Sequence, residues 1–339
     1  MRFLTTCLQA FSRAERPSHD AIAGAFAELM DGEASDPAIA GFLMGLAAQG
    51  ESPADIAAGA RVMRARMTRI TAPEGAIDTC GTGGDGKGAY NISTAAAIVA
   101  AGAGAVVAKH GNRAASSKSG SSDVLAALGI DLDCGTERVE RSLNEAGAGF
   151  LFAPAHHSAV RHVGPARQAL GVRTVFNLLG PLSNPAGVKR QLLGVYHRRW
   201  LVPMAEALRD LGCEHALVIC GADGMDEITT TASTHIAELR QGRIDTFDFH
   251  PGEAGIALAS EEDLRGGDPA YNAAAINRLL DGETGPFRDI VMLNAGAALL
   301  VAGEAATIAE GAGLAAAALD DGRARTTLDR MIAISRGDA

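Results

Sequence analysis

The stretch CGTGGDGKGAYNIST, from Cys80 to Thr94, is rich in glycine, which would let a ligand approach the backbone closely. It holds five glycines within nine residues and leads into AAAIVAAGA, which predicts a helix. A glycine-rich turn before a helix offers free N–H groups to an anion such as phosphate. The pattern matches neither the P-loop nor the dinucleotide fingerprint, and alone it is equally compatible with a tight structural turn. The carboxylate of Asp85 would suit ribose hydroxyls or a metal ion.

A second polar stretch, KHGNRAASSKSGSSD from Lys109 to Asp123, follows the apolar run AVVA. It combines three basic side chains, an imidazole, an amide and five hydroxyls, a dense set of donors for a polyanion. A solvated polar loop is the ordinary interpretation of such a segment. However, it follows a strand that can lie beside the first one, and both loops would then meet at one edge of the sheet.

Asp226 and Glu227 lie in GADGMDEIT, just after the apolar run HALVICG. An isolated Asp-Glu pair is usually a solvated turn. Magnesium, however, takes one or two carboxylates together with substrate phosphates and water. Beside two phosphate-type loops, the pair is therefore predicted to bind Mg²⁺.

The secondary structure that must position these residues changes along the chain. The pattern of residues 1–70 predicts helices only, with Ser18, Ser35 and Ser52 as N-caps. From residue 71 to 339, apolar runs alternate with helical patterns. The predicted strands are AIDTC, AGAVVAKHG, GFLFAPA, RQLLGVYH, HALVICG and the hairpin HIAELRQGRIDTFDF. Helices are predicted near Ser93, Ser122, Thr136, His157 and Arg199, and in the Ala-rich C-terminal part. The sequence thus predicts an α/β protein: a small helical domain (1–70) and a large α/β domain (71–339) whose mostly parallel central sheet is covered by helices.

The composition of the chain limits the kinds of molecule that it is expected to bind. A net charge of −10 and a pI near 5.4 argue against nucleic acid and anionic membranes, so a small molecule is expected. The five cysteines include no C-x-x-C pair, which favours a cytoplasmic protein without a zinc site. The N-terminus lacks a secretory signal, and no apolar stretch reaches 18 residues, so no membrane association is expected.

Four long motifs, in order, carry a resemblance that covers nearly the whole chain. They are GTGGDG…NISTAAA, VAKHGNRAASSKSGSSDVLAALG, HHSAVRHVGPARQALGVRTVFNLLGPLSNPA and GMDEITTTASTHIAEL. Together they resemble the anthranilate phosphoribosyltransferase family of tryptophan biosynthesis. The resemblance implies that the amino nitrogen of anthranilate displaces pyrophosphate from C1 of 5-phosphoribosyl 1-pyrophosphate, with Mg²⁺ as cofactor. It also implies a cleft between the two domains, with part of 160–190 joining the helical one, and a homodimer formed through the helical domains. The apolar faces near Phe42, Leu43 and Leu46 are candidates for that dimer contact.

The matching motifs also imply the site residues. The sugar-pyrophosphate contacts would be Gly81, Gly84, Asp85, Asn91, Ser93, Thr94, Lys109, His110, Gly111, Asn112, Arg113, Ala114, Ala115, Ser116, Ser117 and Ser121. Gly81, Asn112 and Arg167 would contact anthranilate, and Ser93, Asp226 and Glu227 would hold Mg²⁺. Lys109, Asn112 and Arg113 are the residues assigned to catalysis. One position departs from the family: Ala89 stands where Thr is usual, so a hydrogen bond to the sugar or phosphate could be missing.

The expected chemistry explains these residue types. Displacement at an anomeric carbon needs neither a nucleophile nor a strong base, but it needs cations on the departing pyrophosphate, which Mg²⁺, Lys109 and Arg113 would supply. Arg167 suits the anthranilate carboxylate because a guanidinium offers paired donors. His110 and His157 are expected as walls or hydrogen-bonding groups near the substrate.

Two alternatives remain at this point. A pyrimidine nucleoside phosphorylase shares the general architecture and reacts at the same kind of carbon. It would use inorganic phosphate and would need neither the acidic pair nor a cation for an aromatic carboxylate. A nucleic-acid-binding relative would need a basic cleft, and the net charge of −10 argues against it.

Overall fold

The computed structural model describes residues 1–113 and 118–338. Its N-terminal part is a bundle of α1 (Arg2–Ser12), α2 (His19–Met30), α3 (Asp36–Gln49) and α4 (Pro53–Arg66). The Ser18 hydroxyl accepts from Ala21 N at the start of α2, and Ser52 forms a reciprocal capping box with Asp55 at the start of α4. Ser35 precedes α3 but makes no side-chain cap. These serines therefore mark helix starts as the sequence predicts.

The sheet has seven strands in the described residues, ordered β3-β2-β1-β4-β5-β6-β7. The strands are β1 (Ile77–Gly81), β2 (Val107–Gly111), β3 (Ala148–Phe152), β4 (Arg190–Gly194), β5 (His215–Gly221), β6 (Thr234–Arg240) and β7 (Arg243–Phe249). The first five are parallel, and β6 and β7 form an antiparallel hairpin at one edge. The predicted mostly parallel α/β sheet is confirmed.

Helices connect and cover the strands. They are α5 (Ile92–Gly102), α6 (Ser121–Leu128), α7 (Thr136–Glu145), α8 (Ala153–His156), α9 (Gly164–Leu170), α10 (Phe176–Leu179), α11 (Leu201–Asp210), α12 (Pro269–Leu280), α13 (Pro286–Ala302), α14 (Ile308–Asp320) and α15 (Arg323–Arg336). The single helix predicted from His157 is wrong, because a 3₁₀ turn at Ser158–His162 precedes α9. Pro165 lies in the first turn of α9, where its missing N–H is tolerated, and this favours a new helix start.

Two hydrophobic cores lie on opposite faces of the sheet, as alternation along the strands shows. Leu192 of β4 packs with α5 and the C-terminal helices. Its neighbour Leu193 packs in the other core with α11, the helical bundle and residues of 163–182. The bundle therefore shares a core with one face of the sheet.

Phe42, Leu43 and Leu46 belong to this second core and have no exposed surface. The expectation that they form a dimer contact is wrong, since they already pack against α1 and α2 residues such as Phe26. An apolar stripe on α3 is equally compatible with an internal core and with an interface.

No helix in the described part of the chain is long and apolar enough to cross a membrane.

Candidate active site

The predicted site residues lie at the carboxyl edge of the parallel strands. β1 pairs with β2 on one side and with β4 on the other, so the strand order switches direction there. Open α/β sheets bind ligands outside such a switch point. The loops that follow β1, β2 and β5 meet at this edge, as the contacts below show.

The glycine-rich loop after β1 is shaped for close approach. Gly83 and Gly84 adopt φ values of 64° and 77°, which side-chain-bearing residues rarely adopt. Gly83 N–H donates to Asp226 Oδ2 at 2.9 Å. A Cβ on Gly81 would lie 2.5 Å from that same oxygen. The loop after β5 therefore packs directly against the backbone of the glycine loop. Within the loop, the Asp85 side chain accepts from Lys87 N at 3.1 Å.

Ser93, Glu227 and Lys109 form a continuous polar chain. The Ser93 backbone N–H donates to Glu227 Oε1 at 3.1 Å, and Lys109 Nζ donates to Ser93 Oγ at 3.3 Å. Lys109 also donates to the Thr79 carbonyl at 2.5 Å, and its side chain is buried. Residues from three motifs, distant in sequence, thus come together at the N-terminus of α5.

The carboxylates of this cluster are crowded. Burial, with the neighbouring Asp85 charge, raises the pKa of Asp226 to about 7. Burial, with the charge of Asp226, raises the pKa of Glu227 to about 8. Burial lowers the pKa of Lys109, opposed by these acids. Crowded acids fit a divalent cation. In residues 1–113 and 118–338 no group of three or more His, Cys, Asp and Glu is arranged to hold a metal, so a cation bound by the acidic pair would need further oxygens from a ligand or from water.

Asp223 shapes the loop that carries the acidic pair, a role that residue type and spacing do not reveal. Its carboxylate accepts from Met225 N at 3.0 Å and from the hydroxyls of Thr229 and Thr231 at 2.8 and 2.5 Å. These bonds close the loop on both sides of Asp226 and Glu227. Asp223 lies within the quoted motif GADGMDEIT, but only the fold shows which carboxylate faces inward.

The loop after β2 is described in part. Gly111 lies under the start of α6, where a Cβ would be 2.2 Å from Ser121 Oγ. Asn112 and Arg113 are exposed, and the Arg113 guanidinium stands 5.7 Å from the Phe152 ring centre. Ala114, Ala115, Ser116 and Ser117 lie outside the described residues.

Thr94 and Asn91, two residues at the start of α5 that are predicted to contact the sugar pyrophosphate, have side chains that face inward. The Thr94 side chain is buried, so Thr94 can donate to an anion only through its backbone N–H, which lies in the first turn of α5. Asn91 is hydrogen bonded on both sides: its Nδ2 donates to the Ser119 carbonyl at 3.2 Å, and its Oδ1 accepts from Ser119 Oγ at 3.0 Å and from Asn272 Nδ2 at 2.8 Å.

Arg167 belongs to α9, and burial is the only cause of the shift in its pKa, without a contribution from the acidic cluster. Its guanidinium stands 5.3 Å from the Phe176 ring centre, and burial lowers its pKa. Among the described residues, no carboxylate lies within ion-pair distance of it. A half-buried cation beside an aromatic ring and without an acidic partner fits an aromatic carboxylate.

His110 and His157 are both buried, with ring centres 5.0 Å apart. The Nε2 atom of each has no hydrogen-bond partner among the described residues. Burial lowers the pKa of His110 to about 3 and that of His157 to about 4. Both rings are therefore neutral, and each holds a buried nitrogen that has no hydrogen-bond partner among the described residues.

Arg173 and Tyr196 form a contact that the sequence analysis missed. The Arg173 guanidinium lies 4.2 Å from the Tyr196 ring centre and donates to the Gly84 carbonyl. Tyr196 N–H in turn donates to Thr82 Oγ1 at 3.0 Å. Arg173 lies in GVRTVFN, six residues after Arg167, so the segment carrying Arg167 is tied to the glycine loop.

Comparison with known proteins gives one consistent result. Residues 73–325 match the family described as "Glycosyl transferase family, a/b domain", and residues 5–67 match its helical bundle domain. Anthranilate phosphoribosyltransferase of Maricaulis maris is 74% identical over the full length of both chains. The crystal structure of the Thermus thermophilus enzyme is 45% identical, with a TM-score of 0.92, and the match covers 98% of this chain and 99% of that one. The Saccharomyces cerevisiae enzyme in complex with 5-phosphoribosyl 1-pyrophosphate and Mg is 25% identical, with a TM-score of 0.91 over 99% and 98% of the two chains. The chain belongs to the anthranilate phosphoribosyltransferase family.

Proposed function

We propose that this chain transfers the phosphoribosyl group of 5-phosphoribosyl 1-pyrophosphate (the sugar pyrophosphate) to the amino nitrogen of anthranilate. The C1–O bond to pyrophosphate breaks, the C1–N bond forms, and the amine loses a proton. The observation that carries the proposal is the chain Lys109–Ser93–Glu227, in which a cation, a helix N-terminus and a carboxylate meet beside the glycine loop. This combination suits a polyanion held together with a divalent metal.

Magnesium fits the acidic cluster. Asp226 and Glu227, with Ser93 nearby, are the residues that would hold it, and their raised pKa values reflect burial first and the neighbouring acidic charge second. When bound, the ion neutralises charge on the departing pyrophosphate. Lys109 adds a fixed positive charge at the same place, and the glycine-loop amides offer hydrogen bonds without side-chain rearrangement. The exposed Asn112 and Arg113 would complete the anion site from the second loop.

The acceptor is proposed to lie on the Arg167 side of the cleft. Arg167 would pair with the anthranilate carboxylate, and the neutral rings of His110 and His157 would border the aromatic acceptor. Gly81, at the end of β1, would contact both substrates through its backbone. The arylamine is already nucleophilic, so the residues here need only orient it.

The chain is also proposed to act in the cytoplasm as a homodimer joined through its helical domains. Light scattering at micromolar concentration tests the assembly, since a mass near the 34.7 kDa of one chain would contradict it.

The decisive experiment uses the fluorescence of anthranilate. Mixing enzyme, Mg²⁺, anthranilate and the sugar pyrophosphate should remove the fluorescence and release pyrophosphate. A matched reaction with a pyrimidine nucleoside and inorganic phosphate should release no base. Release of base, without loss of anthranilate fluorescence, would favour the phosphorylase alternative.

A further inference from the structure

Two consecutive residues at the start of α12 pair with two consecutive residues at the entry to α5. Tyr271 stacks on Tyr90, with ring centres 5.9 Å apart and planes 6° from parallel. The next residue, Asn272, donates from Nδ2 to Asn91 Oδ1 at 2.8 Å. The two segments are 181 residues apart in the chain. Asn272 is buried, whereas Tyr271 is half exposed, so the amide pair is the shielded part of this contact.

The two amides belong to a longer series of hydrogen bonds, which we call the relay. The donor-to-acceptor direction of this series is fixed at both ends. At one end, Gly267 N–H donates to Asn272 Oδ1 at 2.8 Å. At the other, Asn91 Nδ2 donates to the Ser119 carbonyl at 3.2 Å. A backbone N–H can only donate and a backbone carbonyl can only accept. Each amide must therefore present oxygen toward Gly267 and nitrogen toward Ser119, and neither can be flipped without opposing two like atoms.

The relay joins segments that border the site from different directions. Asn91 ends the glycine-rich stretch, and Ser119 lies at the end of the loop after β2. Gly267 closes a turn. The residue before it, Gly266, donates from its backbone N–H to the Gly88 carbonyl at 2.9 Å, and this bond reaches the glycine loop from its other side. Asn91 and Ser119 join the two loops directly, and the buried Asn272 amide of α12 bonds to the Asn91 side chain that makes this contact.

We infer that Asn272 is a positioning residue for sugar-pyrophosphate binding, which sets the separation of the glycine loop and the loop after β2 through Asn91. This inference rests on the proposed function. It also assigns the Asn91 side chain to holding the two loops together, while its backbone remains at the helix entry beside the substrate. Affinity for the sugar pyrophosphate should therefore be more sensitive to Asn272 than affinity for anthranilate, whose proposed partners lie on α9.

Asn272→Asp tests the relay with the least change in shape. The carboxylate keeps the bond accepted from Gly267 N–H but places an acceptor oxygen against Asn91 Oδ1. A buried carboxylate has a raised pKa, and once protonated it can donate to Asn91 and restore the relay. The defect should therefore shrink as the pH falls, which a general loss of stability would not do.

Asn277→Ala is the matched control. Asn277 is on the same helix and accepts from Arg325 Nη1 of α15 at 2.8 Å, away from the site. Losing that bond should lower Tm without changing substrate constants. Asn272→Asp should raise the KM for the sugar pyrophosphate roughly five- to fiftyfold at pH 8.5, the range expected for a lost bond plus a buried unpaired group. Its KM for anthranilate, measured at saturating sugar pyrophosphate, should stay within about twofold of wild type.

Calorimetric titration of each variant with the sugar pyrophosphate and Mg²⁺ separates this inference from the proposed function. If wild type binds the sugar pyrophosphate but does not react with anthranilate, the transfer function fails, and the titrations still test the relay. The relay is supported if Asn272→Asp weakens binding at pH 8.5 and recovers toward wild type at pH 6. It is overturned if Asn272→Asp and Asn277→Ala bind alike, if the defect is independent of pH, or if wild type does not bind the sugar pyrophosphate.

Discussion

Glu227 Oε1 accepts the Ser93 backbone N–H at 3.1 Å, so a carboxylate caps the first turn of α5, where an anionic substrate is expected. A bare carboxylate would repel pyrophosphate from this position. If Mg²⁺ is bound, Glu227 would be one of its ligands, and the positive charge of the ion would offset the charge of the substrate at this helix end. This relationship makes the acidic pair the most sensitive point of the proposed mechanism.

Neutralising Glu227 should change activity and stability in opposite directions. Glu227→Gln should raise the Mg²⁺ concentration needed for half-maximal rate and lower turnover roughly ten- to a hundredfold, as should Asp226→Asn. The pKa values of both acids are raised in the folded state, so their contribution to stability is present below about pH 4 and is lost as the pH rises through 7 to 8. Metal-free Glu227→Gln should therefore be more stable than metal-free wild type at pH 8.5.

Urea denaturation at pH 5 and 8.5, with and without Mg²⁺, measures this second effect. Glu137→Gln, an exposed carboxylate of α7, serves as the control and should alter neither activity nor the pH slope. An active Glu227→Gln enzyme with an unchanged Mg²⁺ requirement would contradict the metal assignment.

Arg167→Ala should affect the acceptor alone. Loss of a charge-assisted bond to the anthranilate carboxylate should lower kcat/KM for anthranilate roughly ten- to a hundredfold, while sugar-pyrophosphate binding by calorimetry stays near wild type. Arg167→Lys keeps the charge but not the paired donors and should recover only part of the loss. Arg161→Ala, an exposed arginine six residues earlier, is the control. A shift in Mg²⁺ dependence for Arg167→Ala would show that the residue belongs to the other end of the cleft.

Gly81→Ala should disturb the metal site by contact alone. The new methyl would lie 2.5 Å from Asp226 Oδ2, so the carboxylate must move and Gly83 N–H loses its acceptor. We expect at least a tenfold fall in kcat/KM for the sugar pyrophosphate in a folded protein. Gly313→Ala on α14 meets no atom within 4 Å and should leave the rate unchanged while slightly raising Tm. Equal rates for both variants would refute the close packing of these two loops.

The buried histidine pair should make the protein sensitive to acid. The pKa values of His110 and His157 are lowered to about 3 and about 4, so the unfolded chain binds protons below pH 6.5 that the folded chain does not. The contribution of the two rings to stability is therefore full above pH 6.5 and falls as the pH drops toward 4. Between pH 7 and 5 each ring should cost up to about 2 kcal/mol of unfolding free energy.

Denaturation curves of His110→Gln and His157→Gln should show a shallower loss over that range than wild type. His197→Gln, at an exposed position, should leave the slope unchanged. Slopes equal to that of wild type in both variants would mean that the rings are not neutral when folded; the comparison with wild type cancels the opposite pH dependence of Asp226 and Glu227.

Much of the fold follows from local pattern. Apolar runs such as HALVICG become β5 because a strand buried on both faces needs a continuous apolar run. Phe42 shows the limit of such patterns. The periodicity of α3 identifies an apolar face, but it does not identify the residues that cover that face. Ala89 shows the same limit. Its methyl packs against the cluster that contains Met225 and Leu264, and its backbone pairs with Arg265, so its surroundings are set by residues far along the chain.

The site residues also differ in how far the sequence alone identifies them. Glycines and acids are recognisable by type, since few other residues suit a phosphate loop or a metal. The roles of Asp223, Arg173 and Asn272 depend on which partner the fold brings to an ordinary polar side chain, and sequence spacing carries no such information. Asn91 was recognisable as part of the motif, whereas its partner Asn272 was not.

The helical bundle shares its core with Val163, Phe176 and Leu179, which enter it from a later part of the chain. A fragment ending near residue 70 would leave buried residues of α2 and α4 facing water, because the side chains that cover them are encoded about a hundred residues downstream. The bundle is therefore not a cassette that can be cut out or exchanged between relatives at a single junction. A working chimera must transplant the N-terminal helices together with residues 158–182, and with them Arg167 and Arg173.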